Sequence, residues 1–246
     1  MEAFVIRARL DLLVSLVDTT TGATVNERNV SFLRDGRPVR PEYRGNGTYV
    51  FINTGREDFL MQIKVYGYEE YRMRISYEDL DSSNPAMDIF LMPSENIFGG
   101  EGLLSLSGNL PFLKKIEAVN LLRPVCFSHE YDPKKKTMTV FGSGSGRVEM
   151  ADMYYGLLKT DKESYEKIEV TETVAPQSVR LKDALQGEFA SNSPVMRIVF
   201  GTVSENGDYL LRVRDDGTDI RYLVRYEVND EVRFQTVDFR NKEALV

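Results

Sequence analysis

The chain has 246 residues, of which 42% are apolar and 28% charged, with 18 glycines and 9 prolines. This composition is typical of globular proteins and excludes collagen-like, disordered and coiled-coil chains. The 38 acidic residues outnumber the 31 basic ones, the formal net charge is -7, and the sequence contains no long basic block. Nucleic acid is therefore not expected as a partner.

Cys126 is the only cysteine and His129 the only histidine. A single cysteine allows neither an intrachain disulfide nor a Cys-based zinc cage. Neither a cofactor nor a metal is predicted, and a bound calcium stays open. The N-terminal stretch carries Arg7, Arg9 and Asp11 among its apolar residues, which fits neither a signal peptide nor a membrane span of about 20 apolar residues. We expect synthesis in the cytoplasm without membrane insertion, and incorporation into a released particle stays open.

Residues 4–93 show the period-two alternation of apolar side chains that is typical of β-strands. Leu10, Leu12, Val14 and Leu16 are an example, because this spacing places one face of a strand in a core. About six or seven such segments, separated by Gly, Asp and Asn turns, predict a β-sandwich.

Several short motifs in residues 10–93 resemble the transthyretin-like, carboxypeptidase-regulatory-like β-sandwich family. They are Val17-Asp18 with Thr21-Gly22, Phe32 with Asp35-Gly36, the segment 47–51, Tyr66-Gly67-Tyr68, and the segment 89–91. Each marks a strand or a turn rather than a catalytic group. The resemblance covers about a third of the chain and implies a scaffold or binding role without a reaction.

Residues 94–110 change in character and are predicted to be a linker. Glycine and serine are frequent in this segment, as in loops and tethers. Its apolar residues include Ile97, Phe98, Leu103 and Leu104. We therefore expect it to pack, either between the two domains of this chain or on a partner.

Residues 111–246 are predicted to form a second β-domain. One helical turn is expected at 111–115, a short helix at 180–188, and an antiparallel meander of consecutive strands from 195 to 239, connected by Asn-Gly and Asp-Gly turns. The predicted fold is therefore all-β. It consists of two immunoglobulin-like or transthyretin-like β-sandwich domains, 1–93 and 111–246, joined by a Gly/Ser-containing apolar linker, with at most short helices.

Candidate chemical groups are few. His129 lies between Ser128 and Glu130, but no Gly-x-Ser-x-Gly elbow accompanies any serine. The glycine-rich run 142–146 lacks the phosphate-loop pattern and is interpreted as a flexible loop. The acids Asp215, Asp216 and Asp219 lie on a tight hairpin that is too short for an EF-hand loop.

The tyrosines Tyr66, Tyr68 and Tyr71 are the predicted interface residues, because tyrosine combines a broad apolar face with a polar tip. The apolar linker residues Ile97, Phe98, Leu103 and Leu104 are predicted to share this role. Tryptophan, the residue that sugar-binding platforms favour, does not occur in the sequence.

Three functional hypotheses follow. The first is a non-catalytic structural or adaptor subunit of a large or homo-oligomeric assembly, most plausibly a phage-tail or contractile-injection-like particle, with other protein subunits as partners. The second is a carbohydrate- or cell-surface-binding module. The third is a hydrolase that uses His129. The fold by itself does not choose among them.

Overall fold

The structure is a computed structural model that describes residues 9–27, 29–94, 102–142, 150, 153–215, 221–241 and 245. The protein is all-β, as predicted, and the one helical element in these ranges is the short 3₁₀ helix Tyr77–Asp79. The chain divides into two compact units. Unit 1 contains Met1–Asp18 and Ala23–Gly99, and unit 2 contains Thr19–Gly22 and Gly100–Val246.

Within the described ranges, unit 1 has eight strands in two sheets. They are β1 (Leu10–Asp18), β2 (Val30–Arg34), β3 (Arg37–Val39), β4 (Glu42–Gly45), β5 (Thr48–Ile52), β6 (Phe59–Val65), β7 (Tyr71–Ile75) and β8 (Ala86–Leu91). One sheet has the order β4-β5-β1-β8 and the other β3-β2-β6-β7. All neighbours are antiparallel except β1 and β8, which run parallel.

Both sheets of unit 1 contribute to a single apolar core. In β1 the predicted alternation is confirmed at Leu12, Val14 and Leu16, which are fully buried. In β6 the same period buries Met61 and Ile63 and leaves Leu60 exposed. Each fully buried side chain of this size contributes about 1.5–3 kcal/mol to folding.

Asp11 is a charged residue inside this apolar framework. It sits at a register irregularity of β1 with its side chain fully buried. Burial raises the pKa of Asp11, but hydrogen bonds from Arg9 and from the backbone N–H groups of Gly55 and Thr54 outweigh it and lower the pKa overall. The carboxylate therefore ties the segment that follows β5 to β1.

Unit 2 has eleven strands in the part of it that the structure describes. They are β9 (Leu103–Asn109), β10 (Leu113–Asp132), β11 (Thr137–Phe141), β12 (Met153–Leu158), β13 (Tyr165–Ala175), β14 (Ser178–Leu181), β15 (Pro194–Phe200), β16 (Thr202–Val203), β17 (Asp208–Arg214), β18 (Arg221–Val228) and β19 (Glu231–Asp238). The larger sheet has the order β11-β14-β13-β12-β15-β10-β18-β19, and the smaller sheet β16-β17-β9.

The larger sheet of unit 2 closes on itself, because the long strand β10 pairs with β15 and also with β11. Six strands thus form a closed ring around an apolar core that includes Cys126, Met138, Tyr155 and Leu157. The sequence analysis did not predict this closure.

A second core of unit 2 lies between the smaller sheet and the β10–β18 part of the larger one. It contains Leu106 from β9, Leu211 from β17, Ala118 from β10 and Val224 from β18. The segment 103–109, assigned to the linker from its sequence, is therefore a strand of unit 2 that pairs along its length with β17.

Two hairpins of the predicted C-terminal meander form, β16–β17 and β18–β19, but β17 and β18 do not pair with each other. Strand β17 pairs with β9 and β16, whereas β18 pairs with β10. Strands β17 and β18 thus belong to different sheets, because they bury their apolar faces on opposite sides of one core.

Neither helix predicted in the second region forms. Residues 178–181 are strand β14, and the following segment is irregular, with the backbone N–H groups of Gln186 and Gly187 bound to the Glu166 carboxylate at 2.8 Å each. At 111–115 the φ of +65° at Phe112 is incompatible with a right-handed helical turn, which requires negative φ.

Candidate functional site

The three predicted interface tyrosines occupy different environments in unit 1. Tyr66 is 82% exposed, directly after β6. Tyr68 and Tyr71 are partly buried and pack against the core, and the Tyr68 hydroxyl donates to Asp18 Oδ2 at 2.9 Å. The structure therefore does not unite the three rings in one exposed platform.

The apolar residues of the predicted linker divide in a similar way. Ile97 and Phe98 lie outside the described residues, as do Asp216, Asp219 and most of the run 142–146. Leu103 and Leu104 lie in β9, and Leu104 packs against the core of unit 2. These two leucines are thus part of a folded unit rather than of a tether.

His129 lies on β10 with a serine and an acid beside its ring. Its Nδ1 is 3.3 Å from Ser191 Oγ, and its Nε2 is 3.9 Å from Glu130 Oε1. The serine is Ser191 rather than the adjacent Ser128, which is buried. The side chains of His129 and Glu130 are 53% and 80% exposed, so the acid is not held in the buried contact that orients a catalytic imidazole.

The clearest candidate surface lies at one end of unit 2, where three turns meet. The turn 110–113 joins β9 to β10, the turn 204–207 joins β16 to β17, and the turn 228–231 joins β18 to β19. Leu110 N–H donates to Gly207 C=O at 3.0 Å, and Leu113 pairs with Val228. We call these three turns the Phe112 end.

Phe112 is the most unusual residue of this end. Its side chain is 74% exposed and its φ is +65°. It follows Pro111, and Leu113 N–H donates to Leu110 C=O at 3.1 Å, so Phe112 occupies the third position of a type II turn. That position favours glycine, because a side chain there is strained. An exposed aromatic residue on a strained backbone points to a role in contact with another molecule.

Sequence analysis missed Phe112 because the segment was interpreted as a helical turn. The signal was nevertheless present. Proline at the second position of a four-residue turn predicts a type I or type II turn, and the surrounding strands leave room for only a short connection. The residue after Pro111 was therefore a candidate for positive φ.

A buried ion cluster in unit 2 also escaped prediction. The Glu117 side chain on β10 is 6% exposed and accepts hydrogen bonds from Lys167 Nζ at 3.1 Å and Arg225 Nη1 at 3.0 Å. The Lys167 ammonium also lies 4.6 Å and 4.7 Å from the ring centres of Tyr154 and Phe200. These contacts hold β10, β13 and β18 together and give the cluster a structural role.

Within the described ranges, no group of three or more His, Cys, Asp or Glu side chains is arranged to hold a metal ion. The same ranges contain no helix with the length and hydropathy required to cross a membrane.

Comparisons with protein-family models, with curated proteins and with solved structures each gave no match. The geometry of the described surfaces is therefore the basis for a functional assignment.

Proposed function

We propose that this chain is a non-catalytic structural or adaptor subunit of a larger protein assembly and that it binds a neighbouring subunit through the Phe112 end. The observation that carries the proposal is the Phe112 ring, which is 74% exposed on a backbone with positive φ. Aromatic anchors of this kind dominate the binding energy of many protein interfaces.

The aromatic ring of the Phe112 end indicates the chemistry of the partner. Of the acids in its three turns, Asp230 forms an ion pair with Lys114 and Glu231 with Arg233, so these charges are offset within the chain. A complementary surface has an apolar pocket for the aromatic ring. Among assemblies we favour a phage-tail or contractile-injection-like particle, in which subunits are held by many such contacts.

We also propose a specific fold for each unit within the all-β class. We propose that unit 1 is a transthyretin-like β-sandwich, supported by its two four-stranded sheets around one core. For unit 2, the core shared by the smaller sheet and the β10–β18 region supports a two-layer, sandwich-like part beside the closed ring.

Native fractionation of the producing cells by size, with mass spectrometry of this chain, tests the assembly proposal. The expected result is co-migration with a much larger particle, whose other proteins are then identified in the same fractions. Recovery of wild-type protein only as a free 28.1 kDa chain would overturn the proposal. Glycan-array binding by that free chain would then favour the carbohydrate- or cell-surface-binding alternative, for which the exposed Tyr66 is the remaining candidate.

The position of the contact is tested by variants. Phe112→Gly is expected to release the chain from the particle. Val174→Ser is the matched control, because it removes another exposed apolar side chain of unit 2, 48% exposed, from an unstrained strand. Tyr66→Ser separates the originally predicted interface from the Phe112 end. If the Tyr66→Ser variant left the particle while the Phe112→Gly variant remained in it, the contact would lie on unit 1 and the proposed surface would be refuted.

A hydrolase is the second candidate, favoured by the 3.3 Å contact between His129 and Ser191. It predicts cleavage of an activated ester by the wild-type chain and loss of that activity in both His129→Ala and Ser191→Ala. Equal rates in the wild-type and variant proteins would exclude this candidate.

A further inference from the structure

A pocket opens at one end of the closed ring of unit 2. Its volume is about 240 Å³, and it lies between the last residues of β10 and the segment that joins β14 to β15. Met138 of β11 and Leu157 of β12 line it from the ring core and are fully buried. Leu185 and Phe189 of the joining segment line it as well and are partly buried. The interior is therefore apolar, and we call it the ring pocket.

The joining segment is held in place by hydrogen bonds near both of its ends. Leu185 N–H donates to the Tyr131 hydroxyl at 3.1 Å, and Asn192 N–H donates to the Ser128 carbonyl oxygen at 2.8 Å. Between these two points, Gly187 N–H donates to a carboxylate of β13 at 2.8 Å. The ring pocket is therefore preformed, so an occupant loses little affinity to the ordering of this segment.

The opening of the ring pocket indicates what kind of group it accepts. His129, Glu130 and Ser191 line the pocket and are exposed, and none of the described lining residues is a lysine or an arginine. An anion would lie beside the Glu130 carboxylate without a permanent cation, so a neutral apolar group fits better. A cavity of about 150 Å³ is enough to hold a benzene molecule. The ring pocket is thus large enough for one phenyl ring.

Phe112 and the ring pocket lie at opposite ends of β10. Phe112 directly precedes this strand, which begins at Leu113, whereas the pocket contacts its last residues, 128–131. The seven residues of β15 pair with the part of β10 between these ends, and at about 3.3 Å per residue they alone span about 20 Å. A chain therefore cannot place its own Phe112 ring in its own ring pocket.

We propose that the neighbouring subunit is a second copy of this chain, whose ring pocket receives the Phe112 ring. This inference rests on the proposed function of the Phe112 end and adds the identity of the partner. Burial of the exposed ring in an apolar pocket removes its surface from water. Because the two contacting surfaces differ, each bound copy still offers one ring or one pocket, and copies add head to tail into a closed ring or an open filament.

One pair of charges supports this arrangement. Lys115 lies three residues after Phe112, is exposed, and forms no ion pair within the described ranges. Glu130 at the pocket opening has His129 as its charged neighbour, at 3.9 Å. Insertion of Phe112 into the pocket brings Lys115 towards Glu130, where opposite charges fix the orientation of the contact. Glu205 on the turn 204–207 also forms no ion pair in the described ranges, so the match concerns this pair and not the net charge of the Phe112 end.

Sedimentation velocity of the purified full chain, from low micromolar to several hundred micromolar, tests the proposal. The average mass of the wild-type protein is expected to rise above 28.1 kDa with concentration and to pass that of a dimer. Phe112→Gly removes the ring, and Ala190→Phe fills the pocket from an exposed lining residue. Each variant alone is expected to stay monomeric. Their equimolar mixture is expected to form a dimer and nothing larger, because one ring and one pocket remain in it.

Further variants make this result specific. Ala175→Phe places the same ring on another exposed alanine of unit 2, outside the pocket lining, and is expected to associate like the wild-type protein. Ser191→Trp is a second variant that fills the pocket, and unchanged thermal unfolding shows that a filled variant is folded. Lys115→Glu is expected to weaken association about fivefold, and the double variant with Glu130→Lys to recover it.

Two results would overturn this inference: a mixture of folded ring and pocket variants that does not dimerise, or folded pocket-filled variants that associate like the wild-type protein. A wild-type chain that stays monomeric when pure, yet co-migrates with a particle in cell fractions, would also overturn it and leave the proposed function intact. Absence of both would overturn the two proposals together. If calorimetry showed phenol binding in the ring pocket of a monomeric chain, the pocket would instead be a site for small aromatic molecules.

Discussion

Replacing Phe112 by glycine and by alanine isolates the strain at the Phe112 end. Both variants lose the same ring, of which about a quarter is buried, since 74% is exposed. At about 1.5–3 kcal/mol for full burial, the packing loss is about 0.5 kcal/mol in each. The variants differ in the backbone. A φ of +65° costs alanine about 1–2 kcal/mol and glycine almost nothing.

The glycine variant is therefore expected to be more stable than the alanine variant by about 1 kcal/mol, and at least as stable as the wild-type protein. Urea denaturation followed by circular dichroism measures the free energies. A difference of this size corresponds to about 2–4 °C in Tm for a chain of this length. At an unstrained position the sign is reversed, because glycine has the greater entropy in the unfolded chain.

A finding that Phe112→Ala is as stable as Phe112→Gly would refute the strain argument. If both variants lost more than about 2 kcal/mol, Phe112 would instead be a packing residue. One combined result would support the proposed function: the Phe112→Gly variant is more stable than the wild-type protein and no longer enters the assembly. The strained Phe112 backbone would then lower the stability of the chain and serve binding to the neighbouring subunit.

Three further predictions concern buried polar groups. Asp11→Asn is expected to destabilise unit 1 by about 1–3 kcal/mol at pH 7. Because the pKa of Asp11 is lowered in the folded state, its stabilisation begins to be lost as the pH falls below the unfolded value of about 4 and is lost fully only below the lowered folded pKa; in urea denaturation the difference between variant and wild type should therefore narrow steadily as the pH is lowered from about 5. Glu117→Ala leaves Lys167 and Arg225 without their shared carboxylate and is expected to cost about 3–5 kcal/mol, measured by the same titration at pH 7, whereas a cost below 1 kcal/mol would show that water replaces the carboxylate. Burial raises the pKa of Cys126 to about 12, so a thiol reagent at pH 8 should label native protein only at the rate at which the core opens; rapid labelling without denaturant would contradict the closed ring.

Local sequence signals identified strands and tight turns well. The turn at Asp35 and Gly36 has φ values of +50° and +76°, and that at Asn229 and Asp230 has +51° and +64°, as short side chains and glycine in hairpins predict. The alternation in β6 correctly separated buried from exposed side chains. These features depend on neighbours in the sequence, so the sequence is enough to predict them.

The helix predicted at 180–188 shows where such signals fail. Leu181 and Leu185 have helical spacing, but Leu181 lies in β14 and its N–H donates to Lys136 C=O at 2.8 Å. Leu185 is held separately, by a hydrogen bond from its N–H to the Tyr131 hydroxyl at 3.1 Å. Partners 45 and 54 positions away in the sequence outweigh a weak local preference.

The sequence by itself determined that this protein is all-β, that turns punctuate it at particular glycines and asparagines, and that one histidine and one cysteine limit its chemistry. Only the tertiary structure decided which strands are neighbours, that β10 closes a ring, and that an apolar pocket opens at one end of that ring. The reason is physical. A strand forms backbone hydrogen bonds along two edges and packs side chains on two faces. Its own residues determine which face is buried, whereas the strand that pairs with each edge is determined by the burial of apolar side chains in the whole unit.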